Sequence, residues 1–488
     1  MIRFGTDGWR GIIADDFTFE NVRTVTQAIC DYILVGSSEF VVRRRLPTPN
    51  SQLRTIVVGY DTRFLSDRLA REAACVAAAN NIKVLLTEGF APTPAVSYAV
   101  VDRQTDGAIM LTASHNPPKY NGLKFKGPYG GSATPEITDK IEEHLTRNLS
   151  ENKTPEYLDF EAAKDQGLIE LFNPKENYRK HIVDLVDASQ IKKGGIRVVV
   201  DPMFGAGQGY LNKLLLELGC EVKEIHGKVD PYFGGINPEP IPQNLAELKE
   251  VVREGRYHVG LALDGDADRV CAIDQDGSFI SSHHIFALLL EHLVKTKRWT
   301  GLVVKTVSTT SMVDVLCQEY GLALEETPIG FKHICQRFLD GDIMMGGEES
   351  GGIGVRGHIP ERDGILVGAL LIEIMAARGK TLGELVRELM DRIGYFYYDR
   401  VDIKTDREDM SLLARKLEKY QPEKIADLLV QSVNTRDGYK FCLDDGSWLM
   451  IRPSGTEAVI RIYAEARSEE NLHELIKKGE EIVSSAFE

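Results

Sequence analysis

His258–Arg269 reads HVGLALDGDADR, an apolar run that breaks into three alternating aspartates. Val259, Leu261 and Leu263 give the texture of a strand covered on both faces. In α/β proteins the loop after such a strand is where ligands bind. Asp264, Asp266 and Asp268 alternate on an extended segment, so their carboxylates can converge on one cation. Hard oxygen donors suit Mg²⁺ or Ca²⁺ rather than zinc. An EF-hand is excluded: its sixth position needs Gly and holds Arg269, and its twelfth needs Glu and holds Gln275. Three aspartates without a cation would repel one another. The plainer alternative is a solvated acidic turn, and the apolar strand leading into the loop weighs against it.

Runs of the same kind recur at Thr55–Tyr60, Ile82–Thr87, Gly107–Thr112, Ile196–Asp201 and Leu302–Thr306, alternating with helical patterns. That is α/β architecture. Thr134-Pro135 predicts a helix start ahead of Ile137, Ile141 and Leu145. Thr381 and Glu384 form a capping box ahead of Leu385, Leu389 and Ile393. The polar stretch Leu149–Ala163 reads as a domain edge or an excursion. After Arg392 the texture changes. Tyr395–Lys404 and Tyr439–Ile451 read as antiparallel strands with Asp445-Gly446 as turn, so the last portion is expected to be a smaller α+β domain.

The chain has 488 residues, enough for about three or four domains. A formal net charge of -15 repels nucleic acid and anionic membranes at long range, so any anionic substrate needs a locally basic site. The 7 cysteines are scattered and no C-x-x-C occurs, which argues against a disulfide framework or a zinc ribbon. Met1–Gly11 carries no apolar signal-peptide core. Ile365–Ala377, interrupted by Glu373, is too short to span a bilayer. A cytoplasmic protein without membrane or nucleic-acid partners is expected.

Three further loops carry chemistry. TASHNP, Thr112–Pro117, delivers Ser114 on a sharp loop after a strand; a Ser-His adjacency is not a triad, and a plain turn is the alternative. Gly346–Gly352 joins glycines, which let a ligand approach the backbone, to Glu348, Glu349 and Ser350, groups that suit sugar hydroxyls. Arg452, Ser454, Gly455 and Thr456 make a phosphate cradle without a helical P-loop. For both, an ordinary turn is the alternative. No Walker motif occurs. Gly205-Ala206-Gly207-Gln208-Gly209 resembles a dinucleotide fingerprint, but its spacing is wrong and structural glycines are the preferred reading.

These loops, in this order, resemble the α-D-phosphohexomutase family over essentially the whole chain. FGTDGWRG (Phe4–Gly11), TASHNP, DGDADR, GEES (Gly347–Ser350) and RPSGTE (Arg452–Glu457) match its opening, phosphoserine, metal, sugar and phosphate loops. The resemblance implies three similar α/β domains with mixed sheets plus a smaller C-terminal α+β domain around a central active-site cleft. Its expected divisions are 1–170, 171–280, 281–393 and 394–488. It implies Ser114 as the phosphorylated carrier, and Asp264, Asp266 and Asp268 as Mg²⁺ ligands together with the serine's phosphate. Lys124 is similar to a family general acid/base. Arg10, Arg269 and His115 would lie by the transferring phosphoryl. Glu348 and Ser350 would hold sugar hydroxyls, Arg452, Ser454, Gly455 and Thr456 the non-reacting phosphate, and Gly330 with Lys332 a further part of the substrate. Gly352 stands where bacterial dual-specificity members of the family carry a His, so the resemblance does not carry a proton-transfer role to that position.

The implied activity is interconversion of glucose 1-phosphate and glucose 6-phosphate through a glucose 1,6-bisphosphate intermediate, by a monomer or homodimer. Mannose or glucosamine phosphates, or synthesis of the bisphosphate itself, are the alternatives within the family. A non-catalytic sugar-phosphate sensor is the alternative outside it; retention of Ser114, the three aspartates and Lys124 argues against a sensor.

Overall fold

The computed structural model describes residues 2, 8–35, 53–454 and 459–486; for 407–409 it describes the backbone. Two compact units divide the chain. One gathers Met1–Ser282, Phe331–Gly341 and Ser350–Leu382, the other His283–Gly330, Asp342–Glu349 and Gly383–Glu488.

In the first unit, β1 (Trp9–Ile12), β2 (Thr55–Tyr60), β3 (Lys83–Thr87), β4 (Ala108–Leu111), β5 (Tyr120–Lys126) and β6 (Ile169–Phe172) form one sheet in the order β1-β5-β4-β2-β3-β6. It is mixed. β2 pairs parallel with β3 and β4, whereas β5 is antiparallel to β4 and β1. The continuous apolar runs are explained by cover on both faces. Ile56, Val58, Ile109 and Leu111 pack with the helices Phe19–Val35, Ser66–Ala79 and Pro135–Ser150. Val57, Ala108 and Met110 pack with Val96, Ala99 and Val100 of the helix Thr93–Asp102. Thr134 takes the N-cap position as expected, but its hydroxyl makes no capping bond. Leu149–Ala163 is an excursion: the chain returns through the helix Phe160–Asp165 to β6, parallel to β3. The boundary expected after residue 170 therefore falls inside a strand of the first sheet, which ends at Phe172.

A second sheet holds β7 (Arg197–Asp201), β8 (Glu221–Glu224), β9 (Val259–Leu263), β10 (Val270–Asp274) and β11 (Phe279–Ile280), in the order β11-β10-β9-β7-β8. β7 runs parallel to β8 and β9, and β10 is antiparallel to β9 and β11. Val199, Ala262 and Ile273 meet Leu248 and Val252 of the helix Ala246–Glu254. The helix Gly364–Arg378 packs against β9, β10 and the helices Ala188–Gly194 and Leu211–Glu217. It is apolar around its whole circumference, so it needs cover on every side.

In the second unit, β12 (Leu302–Thr306) pairs parallel with β13 (Leu324–Thr327) and β14 (Ile343–Gly347). β15 (Ile353–Val355) lies in the first unit. The C-terminal sheet is antiparallel: β16 (Tyr397–Lys404), β17 (Lys424–Ile425), β18 (Leu428–Asn434), β19 (Tyr439–Leu443), β20 (Trp448–Pro453) and β21 (Val459–Ala466), ordered β16-β21-β20-β19-β18-β17. Tyr439 faces Ile451 across the expected hairpin. Gly446 takes φ 84°, and the Asp445 carboxylate accepts from the Ser447 N–H and hydroxyl. One sheet face packs on the helices Arg407–Lys419 and Glu469–Ser485. The other puts Trp448, Met450 and Tyr463 on Val307 and Ile329. The helix Leu382–Ile393 begins just past Thr381, whose hydroxyl donates to Asp274. Among the described residues no helix is long and apolar enough to cross a membrane.

Candidate active site

Past the end of β4 the chain turns sharply, and Ser114 sits at φ +51°, in the left-handed region that costs a non-glycine residue about 1–3 kcal/mol. Thr112 Oγ1 accepts the Ser114 N–H at 2.9 Å and so holds the turn. The Ser114 hydroxyl is buried and donates to Asp264 Oδ2 at 2.8 Å. His115 Nδ1 lies 3.4 Å from the same hydroxyl. Arg10, from β1, donates to Asn116 Oδ1 at 2.6 Å, which brings it onto this loop.

Asp264, Asp266 and Asp268 follow β9 and are fully buried. One carboxylate oxygen from each lies within 4.8 Å of the others. Cations surround them. Lys124 Nζ, from β5, is 2.9 Å from Asp266 Oδ2 and 3.4 Å from Asp268 Oδ2. Arg362 reaches Asp268 Oδ2 at 2.7 Å. Arg269 Nε lies 3.9 Å from Asp264 Oδ2 and 3.8 Å from Asp268 Oδ1. Burial, with Asp268 and Asp266 as neighbours, pushes the Asp264 carboxyl well above its usual range. Burial raises Asp266 too, but Lys124, the Thr93 hydroxyl at 2.5 Å and Arg362 outweigh it and hold that carboxylate below its ordinary value. Asp266 Oδ1 and Asp268 Oδ1 are buried with no hydrogen-bond partner. Orphaned carboxylate oxygens on an all-oxygen donor set fit a hard divalent cation such as Mg²⁺.

The serine and metal loops touch backbone to backbone. A Cβ on Gly265 would stand 2.3 Å from the Ser114 carbonyl oxygen. The glycines that imitate a nucleotide fingerprint back the metal loop from behind: a Cβ on Gly205 would lie 2.6 Å from the Gly265 carbonyl oxygen, and Ala206 N–H donates to that oxygen at 2.8 Å. They are structural.

The first unit therefore brings together Ser114, His115, Arg10, Lys124, Arg269 and the three aspartates. Lys332, on the helix Phe331–Asp340, and Ser350 belong to the same unit. The second unit holds Gly330, Glu348, Arg452 and Ser454. There Gly330 N–H donates to Glu348 Oε1 at 3.1 Å. Asp437 accepts from Arg452 Nε and from the Ile329 N–H, both at 2.8 Å, so the arginine and the Ile329–Gly330 turn share one carboxylate. Gly455 and Thr456 lie outside the described residues.

Sequence reasoning missed Arg63, Thr93 and Arg362. Arg362 reaches the metal loop because residue 352 has no side chain: a Cβ there would lie 2.1 Å from Arg362 Cδ. The pairing of Gly352 with a nearby arginine was the available signal.

Comparison with known proteins gives a consistent picture. Phosphoglucomutase/phosphomannomutase signatures match in order: alpha/beta/alpha domain I over 1–152, domain II over 176–277, domain III over 281–393 and the C-terminal domain over 408–480. The chain is 33% identical to a phosphoglucomutase/phosphomannomutase of Thermococcus kodakarensis, over 99% of each chain. It is 32% identical to a protein named as a phosphoglucosamine mutase in Methanothermobacter thermautotrophicus, over 96% of this chain and 94% of the other. A crystal structure of a Thermus thermophilus protein assigned as a phosphomannomutase superposes with a TM-score of 0.84 at 34% identity, covering 99% of both.

Proposed function

The chain belongs to the phosphoglucomutase/phosphomannomutase family, whose members are isomerases that shift a phosphoryl group within a sugar phosphate, and from that premise we propose that it interconverts glucose 1-phosphate and glucose 6-phosphate. The observation that carries the proposal is the 2.8 Å contact between the Ser114 hydroxyl and Asp264, one of three convergent buried carboxylates. A hydroxyl held there is placed to carry a phosphate beside a divalent cation.

In this reading Ser114, phosphorylated, donates to O6 of glucose 1-phosphate. The resulting 1,6-bisphosphate turns over and returns its other phosphate to the serine. Asp264, Asp266 and Asp268 would hold Mg²⁺, which when bound supplies neutralisation of charge on the phosphoryl oxygens. Arg10, Arg269 and His115 face the phosphoryl group. Lys124 is here an ammonium paired with Asp266 and Asp268. It would take a proton from the attacking sugar hydroxyl only once a bound cation engages those carboxylates and frees it to deprotonate, assistance typically worth about 10²–10⁴-fold. Glu348 and Ser350 take sugar hydroxyls, Gly330 and Lys332 a further part of the substrate, and Arg452 with Ser454, Gly455 and Thr456 the non-reacting phosphate. Burial of Ser114 keeps water from its phosphate.

The relatives support glucosamine and mannose phosphates about as well as glucose phosphates. A coupled assay of glucose, mannose and glucosamine 1-phosphates, each with and without the matching 1,6-bisphosphate, decides among them. Glucose 1-phosphate converted fastest, with stimulation by glucose 1,6-bisphosphate, is the expected result. Turnover of none of the three, with sugar phosphate still bound, would replace the enzyme by a sensor.

A further inference from the structure

Arg63 lies in none of the loops assigned above, yet its guanidinium is the hub of the serine loop. It follows β2 in Asp61-Thr62-Arg63 and is fully buried as a side chain. All of its N–H donors are engaged. Nε donates to Asp61 Oδ2 at 3.1 Å. One terminal nitrogen donates to the carbonyls of Pro117 and Tyr120, both at 3.0 Å. The other donates to the carbonyls of Ser114 and Asn116, both at 2.7 Å. The Phe233 ring covers one face at 4.9 Å.

Four carbonyls from Ser114 to Tyr120 thus point at one spot, an arrangement their dipoles oppose without a cation. Only a planar fork with five donors satisfies it; a lysine offers three donors from a single nitrogen. The Ser114 carbonyl oxygen lies between this guanidinium and Gly265 of the metal loop. The neighbouring Thr62 hydroxyl donates to the Phe204 carbonyl at 2.8 Å, beside the Gly205 that backs Gly265. The turn after β2 therefore grips both loops that carry the chemistry.

We propose that Arg63 is a positioning residue for phosphoryl transfer: it fixes the left-handed Ser114 backbone and sets the Ser114 hydroxyl in register with Asp264. The inference rests on the proposed mutase activity for its kinetic consequence. Misplacing a reacting group by about 1 Å can cost about 10²-fold. Arg63→Lys should lower kcat for hexose phosphate by about 100-fold and leave KM within about threefold, because no substrate contact is removed. The second readout needs no activity. Amide hydrogen exchange of the 113–120 backbone should speed up by about tenfold or more in the variant, while exchange in β12 and β20 stays unchanged. Unchanged kcat, or unchanged exchange in 113–120, overturns the proposal. A wild type that turns over no hexose phosphate defeats the mutase reading, and the exchange measurement still judges Arg63. Should Arg63→Lys fail to fold, Asp61→Asn keeps the shape and frees the Nε end of the fork. It is expected to lower kcat about tenfold at constant KM, and kcat within twofold of wild type would count against the positioning role.

Discussion

Ser114 and Asp264 stand 2.8 Å apart although 150 positions separate them in the chain. Ser114→Ala removes the hydroxyl that would carry the phosphate, so activity should vanish. Intact-protein mass should also lose the fraction carrying one phosphate, and an active variant would end the covalent-carrier reading. Asp266→Asn removes a carboxylate that Lys124 and Thr93 hold in its charged form. Mg²⁺-dependent turnover should then be abolished, as a Mg²⁺ titration of the rate would show. Gly265→Ala sets a methyl 2.3 Å from the Ser114 carbonyl, backbone against backbone, with no flexible atom to yield. Overpacking of this kind costs about 1–3 kcal/mol, so a lower Tm should accompany a fall in kcat. Ser114 and the three aspartates were legible in the sequence because their chemistry is concentrated in short contiguous loops. Arg63, Thr93 and Arg362 were not, because each matters only through atoms it meets in space. An arginine in a turn after a strand looks like any surface cation until its donors are counted.

At the scale of elements, the strands were legible because a sheet covered on both faces shows no alternation, and the runs around Val57, Val199 and Leu261 show none. What the runs do not encode is which helix covers which face. The helix Gly364–Arg378 is apolar all round, so nothing in its own pattern says that it covers the second sheet. Leu149–Ala163 was ambiguous because a return to an earlier sheet is a long-range pairing, visible only when β6 meets β3. The second sheet also carries a pH response. At the ends of β7 and β8, His226 bridges Asp201 Oδ1 at 3.0 Å and Glu247 Oε2 at 2.9 Å. The hydrogen bond to Asp201 raises the His226 pKa against the opposing effect of burial, with Glu247 adding to the rise. A raised folded-state value means that the bridge contributes fully below the unfolded value of about 6.5 and is lost as pH climbs through the folded one. His226→Gln should therefore cost more stability at pH 5.5 than at pH 9. The difference should be on the order of 1 kcal/mol, since Glu247 is largely exposed and screened. Denaturant midpoints at the two pH values measure it, and an equal cost at both would refute the bridge.

For the molecule as a whole, the smaller C-terminal domain expected from the texture change after Arg392 is present, and its sheet shares a compact unit with β12, β13 and β14. The join is both apolar and charged. Trp448, Met450 and Tyr463 pack on Val307, and Trp448 Nε1 donates to Glu465, which also accepts from the Ser311 N–H. Beside them Glu326, on β13, lies 3.5 Å from Lys305 of β12 and 3.4 Å from Lys440 of β19. Both lysines are buried, and Lys440 also donates to the Val307 carbonyl at 2.8 Å. Burial raises the Glu326 carboxyl, but Lys440 and Lys305 outweigh it and hold it charged. Such a join cannot be read from the sequence, because an isolated Glu in a strand pattern looks like a solvent-facing residue. Arg452 and the Ile329–Gly330 turn both lie in this unit and share one carboxylate, Asp437. Arg452→Ala should accordingly raise KM for sugar phosphate more than it lowers kcat, and an unchanged KM would remove it from the cradle. Glu326→Gln tests the join itself. Removing one partner of a buried ion pair costs about 3–5 kcal/mol, and here the loss falls on Lys440, because Lys305 keeps Asp314 as a partner. Lys440→Met should cost less, because Glu326 keeps Lys305. In native-state hydrogen exchange, Glu326→Gln should lower the protection of β12 and β20 by the same amount, since the two sheets open as one body. Loss of protection in β12 alone would show two sheets that open independently and would refute the join.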